Sequence, residues 1–149
     1  MLFILNNLLP QRTGRNFEYS MMEFNEWFKD VLRLECQLFM KTDSYRLIGK
    51  NPEGKCLSPD ERNGVHAEIH AVFKRLMNTL QNVCSGLTKE DIIFCCLVKL
   101  GLNNSTIGCC MGSMDRHAIN QRKYRIKKKM KTTHCEDLFD LIYSADDFA

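Results

Sequence analysis

Between Arg116 and Lys131 the chain gathers Arg116, His117, Asn120, Gln121, Tyr124, Arg125, Lys127, Lys128 and Lys131. These are hydrogen-bond donors and cations, not nucleophiles or paired acids. The chemistry they suit is the reading and holding of a nucleic acid. Asn and Gln match the donor–acceptor edge of adenine, and Arg matches that of guanine. A helix lying in a groove reads base edges with its N-terminal part, so Arg116, His117, Asn120 and Gln121 are the candidates for specificity. Tyr124 and Arg125 continue the same outward face. Lys127, Lys128 and Lys131 come later and are expected to meet phosphates, which position the protein without specifying sequence. Lys123 falls near the apolar side, where its methylene stem can cover the core. The basic charge is local: Met114 to Thr133 hold eight Lys or Arg against Asp115 alone, while the rest of the chain holds 13 basic and 17 acidic residues. A net charge of +3 therefore hides a cationic patch of the kind that binds polyanions.

Other chemistries are poorly represented. Eight cysteines invite a metal or disulfide reading, but no C-x-x-C occurs. Cys95-Cys96 and Cys109-Cys110 are adjacent pairs on expected helices, where neighbours point about 100° apart and do not clamp one ion. No signal peptide is evident, so the compartment is expected to be cytoplasmic and reducing, with the cysteines acting as small, metal-free hydrophobes. His66 and His70 have ligand-compatible i, i+4 spacing, yet a core or surface pair is the commoner use of it. No metal and no cofactor are expected. There is no phosphate-cradling glycine loop, nucleophile elbow or HExxH, and HAEIH (His66 to His70) does not match the last, so the chain is not expected to be an enzyme. Met1 to Leu9 (MLFILNNLL) is apolar but too short to span a bilayer. It is expected to be a frayed helix or the remnant of a longer upstream region, with no membrane insertion by this chain.

The elements that must position the polar residues are legible from caps and periods. Over Leu87 to Met130 three helices are expected, separated by two tight corners. Thr88 N-caps the first, with Glu90 and Asp91 in its opening turn complementing the helix dipole. Ile92, Ile93, Cys96, Leu97 and Leu100 recur on one face, and Gly101 supplies the left-handed residue that ends the helix. Asn103 or Asn104 caps a short second helix carrying Ile107 and Met111. Gly112 turns the chain, Ser113 caps again, and Asp115 sits in the first turn of a third helix whose Ile119, Ile126 and Met130 form a narrow apolar seam. A cationic helix with such a seam, after a short helix and a glycine turn, is the pattern of a helix-turn-helix.

Upstream, Phe17 to Lys41 is expected to be a long amphipathic helix with Phe24, Trp27, Phe28, Val31, Leu34 or Glu35, Leu38 and Phe39 as its stripe. A short helical turn is expected at Asp43 to Ile48, and Gly49, Asn51, Pro52, Glu53 and Gly54 form a break. Ser58 and Glu61 make a capping box with Pro59 at the first helical position. The helix they open is expected to run to about Val83, burying Val65, Ile69, Val72, Phe73, Leu76, Leu80 and Val83. Thr133 and Glu136 read as a second capping box for a last helix bearing Leu138, Phe139, Leu141 and Ile142. No alternating run suggests a strand. The expected architecture is all-α: residues 1–16 irregular, 17–86 a helical connector or dimerisation region, 87–144 a helix-turn-helix DNA-binding domain, and 145–149 an acidic tail.

The opening L-T-x-E-[DE], the KLGL segment, Ile107, Ile119, Ile126 and Lys129-Met130 together resemble the C-terminal helix-turn-helix of LuxR/NarL-type transcription regulators. The turn between Ile107 and Ile119 is one residue longer than that pattern. CLVKLG (Cys96 to Gly101), RKYRIKKKM (Arg122 to Met130) and DLFDLI (Asp137 to Ile142) are similar to segments of a bacterial group in which this module follows sensor or tetratricopeptide-repeat regions. The likeness covers roughly residues 57–144. It implies a winged-helix-like, four-helix LuxR-type module, a DNA-binding role in signal transduction, double-stranded DNA as partner, a homodimer, and an upstream sensor region. The alternative from a different class is a helical protein-interaction or oligomerisation module whose helix-turn-helix no longer binds DNA, resting on the apolar stripes of the N-terminal helices.

Overall fold

The computed structural model describes residues 17–50, 56–112 and 114–144, and among them there are helices and turns but no strand. In chain order these are α1 (Phe17–Phe39), α2 (Asp43–Gly49), α3 (Pro59–Val72), α4 (Lys74–Val83), α5 (Lys89–Lys99), α6 (Asn104–Cys110), α7 (Arg116–Thr132) and α8 (Glu136–Tyr143). The all-α expectation holds. The expectations for residues 1–16, for 51–55, for Ser113 as a cap and for the tail at 145–149 fall outside the described residues.

α1 turns Phe24, Phe28, Val31, Leu32, Cys36 and Phe39 inward. Of the alternatives Leu34 and Glu35 it is Glu35 that is buried, while Leu34 is 50% exposed, and Leu38, expected in that stripe, is 48% exposed. At about 100° per residue the buried line runs through Leu32, Glu35, Cys36 and Phe39 and carries positions 34 and 38 to its outer flank. The acid in the middle of that line is accounted for by the helices beneath it. Ser58 and Glu61 form the expected capping box of α3, at 3.2 and 2.9 Å. The single helix expected from there to Val83 is nevertheless two. It breaks at the fully buried Phe73 (φ −92°, ψ 34°), which lies against Phe39 with ring centroids 5.6 Å apart. The break gives α4 its own N-terminus, where Phe73 offers no side-chain cap, and Glu35 supplies the acceptors instead. Its carboxylate receives the Arg75 amide at 3.2 Å and the Leu76 amide at 2.9 Å. Burial pushes the Glu35 carboxyl up, and the two amides with the Arg75 charge offset this only in part.

α5 is interior. Every residue from Asp91 to Leu97 is buried, because α1, α3, α6 and α8 surround the helix. The expected one-face set understates this, since Phe94 and Cys95 find neighbours on the other sides as well. α8 rests on α1, α5 and α7 together, and one hydrophobic cluster runs from Phe24 to Ile142. The Thr133/Glu136 capping box does not form. Thr133 Oγ1 instead donates backward to the Lys129 and Met130 carbonyls at 3.1 and 3.2 Å, finishing α7. His134 takes φ +60°, and the amides of His134 and Cys135 return to Lys131 O and Met130 O at 3.1 and 2.7 Å. That is a Schellman closure with a non-glycine residue in the left-handed position. α8 then starts at Cys135 without a side-chain cap.

Replacing Glu35 with Ala leaves two amides at the covered start of α4 without acceptors. Stability is expected to fall by about 1–3 kcal/mol, seen as a lower urea midpoint, with Glu35→Gln losing less. An unchanged midpoint for Glu35→Ala would remove the capping role.

Candidate nucleic-acid interface

The corner between α6 and α7 is built from backbone constraints. Gly101 (φ +79°) ends α5 as expected, and of the two candidate asparagines it is Asn103 that caps α6, its side-chain oxygen accepting from Thr106 N at 2.8 Å. Gly112 (φ +91°) makes the next turn. Gly108, which no motif singles out, sits where a Cβ would run into the Met114 carbonyl oxygen. Only hydrogen fits there, so α6 and the entry to α7 approach backbone to backbone, with Met114 N donating to Gly108 O at 3.2 Å. Asp115, expected inside the first turn of α7, is its N-cap and accepts from Ala118 N at 2.8 Å.

Once begun, α7 is oriented by its seam and by two flanks. Ile119, Ile126 and Met130 are 3%, 0% and 0% exposed, as the spacing predicts. On one flank Arg122 Nη1 and Lys129 Nζ reach the two oxygens of Asp91 at 3.0 and 2.7 Å. Asp91 also closes a capping box on α5, accepting from Thr88 N at 3.0 Å while Thr88 Oγ1 accepts the Asp91 amide at 3.1 Å. Burial works against ionising Asp91, but the Lys129 and Thr88 hydrogen bonds and the charges of Lys129 and Arg122 outweigh it, holding the carboxyl below its usual range. On the other flank Lys123 Nζ stands 4.7 Å from the centre of the Tyr143 ring and Lys127 Nζ 5.5 Å from that of Phe139, two α8 rings stacked at 4.4 Å.

Four of the eight cations on α7 are thereby drawn to its sides, and the outward face is left to the others. His117, Asn120, Gln121, Tyr124 and Arg125 line one shallow open groove, all of them exposed, with Tyr124 at 67%. Lys128 and Lys131 continue the exposed surface toward the end of the helix. Arg116 lies at the start of α7 and lines a neighbouring cleft with Asn104 and Ser105 of α6. Of the nine residues singled out for contact, five therefore share a groove, Arg116, Lys128 and Lys131 flank it, and Lys127 leans onto α8. Lys123, expected to lay its stem on the core, is exposed and sets its ammonium over the Tyr143 ring.

Two further cation and histidine placements were not legible. Lys99, of the KLG segment, is 2% exposed, and its ammonium donates to the carbonyls of Leu141 and Ser144 at 2.8 and 3.0 Å. A buried base thus holds the C-terminus of α8 against α5, with the sign the helix dipole favours. His66 Nε2 lies 2.8 Å from the Cys110 carbonyl oxygen, which ties α3 to the end of α6. Among the described residues no group of three or more His, Cys, Asp or Glu is arranged to hold a metal, and no helix is long and apolar enough to cross a membrane. No family model matches the chain, and no curated protein and no solved structure is significantly similar to it.

Asp91→Asn keeps an oxygen for Thr88 but removes the charge that Arg122 and Lys129 share. Near neutral pH it is expected to cost roughly 2–3 kcal/mol, below the value for a fully covered pair because Lys129 is 36% exposed. The folded pKa of Asp91 is depressed, so its contribution is present above the unfolded value of about 3.9 and is lost as pH falls through the folded one. Wild type and Asp91→Asn should therefore converge in stability on acidification below about pH 4. A gap that stays constant down to pH 2 would contradict the ion pair as its cause.

Proposed function

We propose that the chain is a sequence-specific DNA-binding transcription regulator, or the output part of a longer sensor-regulator. In this reading α5 to α8 form a helix-turn-helix module of LuxR type, and α7 lies in the major groove of duplex DNA. The observation that carries the reading is the sorting of side chains around α7. Two cations bind Asp91 and two cover the rings of α8, while His117, Asn120, Gln121, Tyr124 and Arg125 are collected on one open face between Arg116 and the exposed Lys128 and Lys131. A purely structural helix gains nothing from clustering amide and guanidinium groups outward, whereas base edges require such groups. The close α6–α7 corner supports the same reading, since a short helix must step back for the next to enter a groove. The interaction-module alternative drew on the stripes of α1, α3 and α4, and most of those residues are buried in the chain's own core.

In this account the action takes place in the cytoplasm, on chromosomal DNA, without catalysis. Asn120 and Gln121 discriminate, Arg116 and His117 extend the reading toward the start of α7, and Lys128 and Lys131 hold phosphates.

The test is a set of affinities against salt, on a duplex selected from a random library and on random DNA. Asn120→Ala or Gln121→Ala is expected to lose roughly 1–3 kcal/mol on the selected duplex and little on random DNA. Lys128→Ala or Lys131→Ala should weaken both alike and lower the salt slope by about one per lost phosphate contact. Lys127→Ala should change the slope less, its ammonium lying over Phe139. If folded Lys128 and Lys131 variants bind as wild type does, α7 does not lie on DNA.

A further inference from the structure

Beside the outward face of α7 is a cleft of about 420 Å³ with two cysteines in its wall. Cys56, which precedes α3, and Cys109, in the last turn of α6, line it together with Asn104, Ser105, Met114 and Arg116. Cys56 is exposed, whereas the other seven cysteines are buried. The two thiols are within hydrogen-bonding reach of each other, although 53 positions separate them in the chain. Their contexts differ in a useful way. Burial, reinforced by the hydrogen bond that the Cys109 thiol donates to Cys56, pushes the Cys109 thiol up, so Cys109 stays protonated and does not lead an attack on a solute. Cys56 meets solvent first.

We propose that Cys56 and Cys109 form a peroxide-oxidisable thiol pair whose disulfide obstructs the α6–α7 face. The oxidant class is a hydroperoxide. The Cys56 thiolate attacks one peroxide oxygen, the O–O bond breaks, and hydroxide leaves with a proton as water, giving a sulfenic acid. The Cys109 sulfur then attacks the Cys56 sulfur, the S–O bond breaks, and the departing hydroxide takes the Cys109 proton as a second water. Two electrons pass from the thiols to one peroxide, and one S–S bond forms. Closing that bond draws Cys56 onto α6 beside Gly108, where the backbone already touches Met114 O, and fills the mouth of the cleft in front of Arg116. The other associated pair, Cys84 and Cys135, is 0% and 1% exposed and offers no surface sulfur to begin the reaction.

The obstruction of DNA rests on the function proposed above, but the thiol chemistry does not, and the experiment separates them. The full chain is treated with hydrogen peroxide, blocked with an alkylating agent, digested without reduction and mapped by mass spectrometry. A peptide linking Cys56 to Cys109 is expected, two hydrogens lighter than its reduced parts and released by a thiol reductant. In Cys56→Ser, which alters an exposed position, no link to Cys109 should form. Accumulation of Cys56 as sulfinic or sulfonic acid beside an unlinked Cys109 would overturn the pair, as would Cys84–Cys135 linkage forming first. On the DNA side, oxidised wild type should bind the selected duplex about tenfold more weakly, the order of one lost base contact, and recover on reduction, while Cys56→Ser is unaffected. A disulfide that forms with no change in affinity would overturn the obstruction alone.

Discussion

A carboxylate that is 3% exposed must be paired, and the rest of the interface follows from how Asp91 meets that requirement. Its two oxygens take a cation each from α7, seven residues apart, and one of them also takes the amide of Thr88, the residue that caps α5. Two attachments along one flank, added to the Ile119–Ile126–Met130 seam, fix the rotation of α7 about its axis. With the rotation set, the remaining side chains have no choice of direction. Arg122 and Lys129 are withdrawn, and Asn120, Gln121, Tyr124 and Arg125 face out. The desolvation of Asp91 is therefore coupled to the composition of the exposed surface on the other side of the helix.

The same device recurs at two other buried charges. Glu35 reaches the N-terminus of α4, and Lys99 the C-terminus of α8. In all three cases the charge ends on unsatisfied backbone groups of a helix terminus, acid on amides and base on carbonyls, in the sense of the helix dipole. Each joins elements distant in sequence: α1 to α4, α5 to α7, α5 to α8. These links explain how α4 and α8, of 10 and 8 residues and too short to be stable alone, hold definite positions against α1 and α5.

What was legible in the sequence was local. The Ser58 box, Thr88 and the left-handed Gly101 depend on neighbours within four residues, and the seam of α7 on a spacing of one or two helical turns. What was not legible depends on distant partners. Nothing near Phe73 announces a break, because the group that stabilises it, Glu35, is 40 residues away from Arg75. Thr133 and Glu136 have the spacing of a capping box, but the longer α7 captures Thr133 for its own C-terminus. Leu34 and Leu38 fit a three-to-four repeat as well as Leu32 and Cys36 do, and packing alone decides between them. The position of Asp91 in the sequence implies its effect on the α5 dipole, whereas its partners on α7 are set by the tertiary fold. The outward residues of α7 could be named early because an exposed helical face requires only the period and the seam.

The central claim is that the outer face of α7, held outward by the Asp91 pair, is where duplex DNA lies. Amide chemical-shift mapping on the 15N-labelled full chain during titration with a selected duplex tests it most directly. The account predicts the largest changes at His117, Asn120, Gln121, Tyr124, Arg125 and Lys128, with smaller ones at Asn104 and Ser105 and little change along α1 and α4. Changes centred on Leu34 and Leu38 of α1, or no change at saturating duplex, would contradict it.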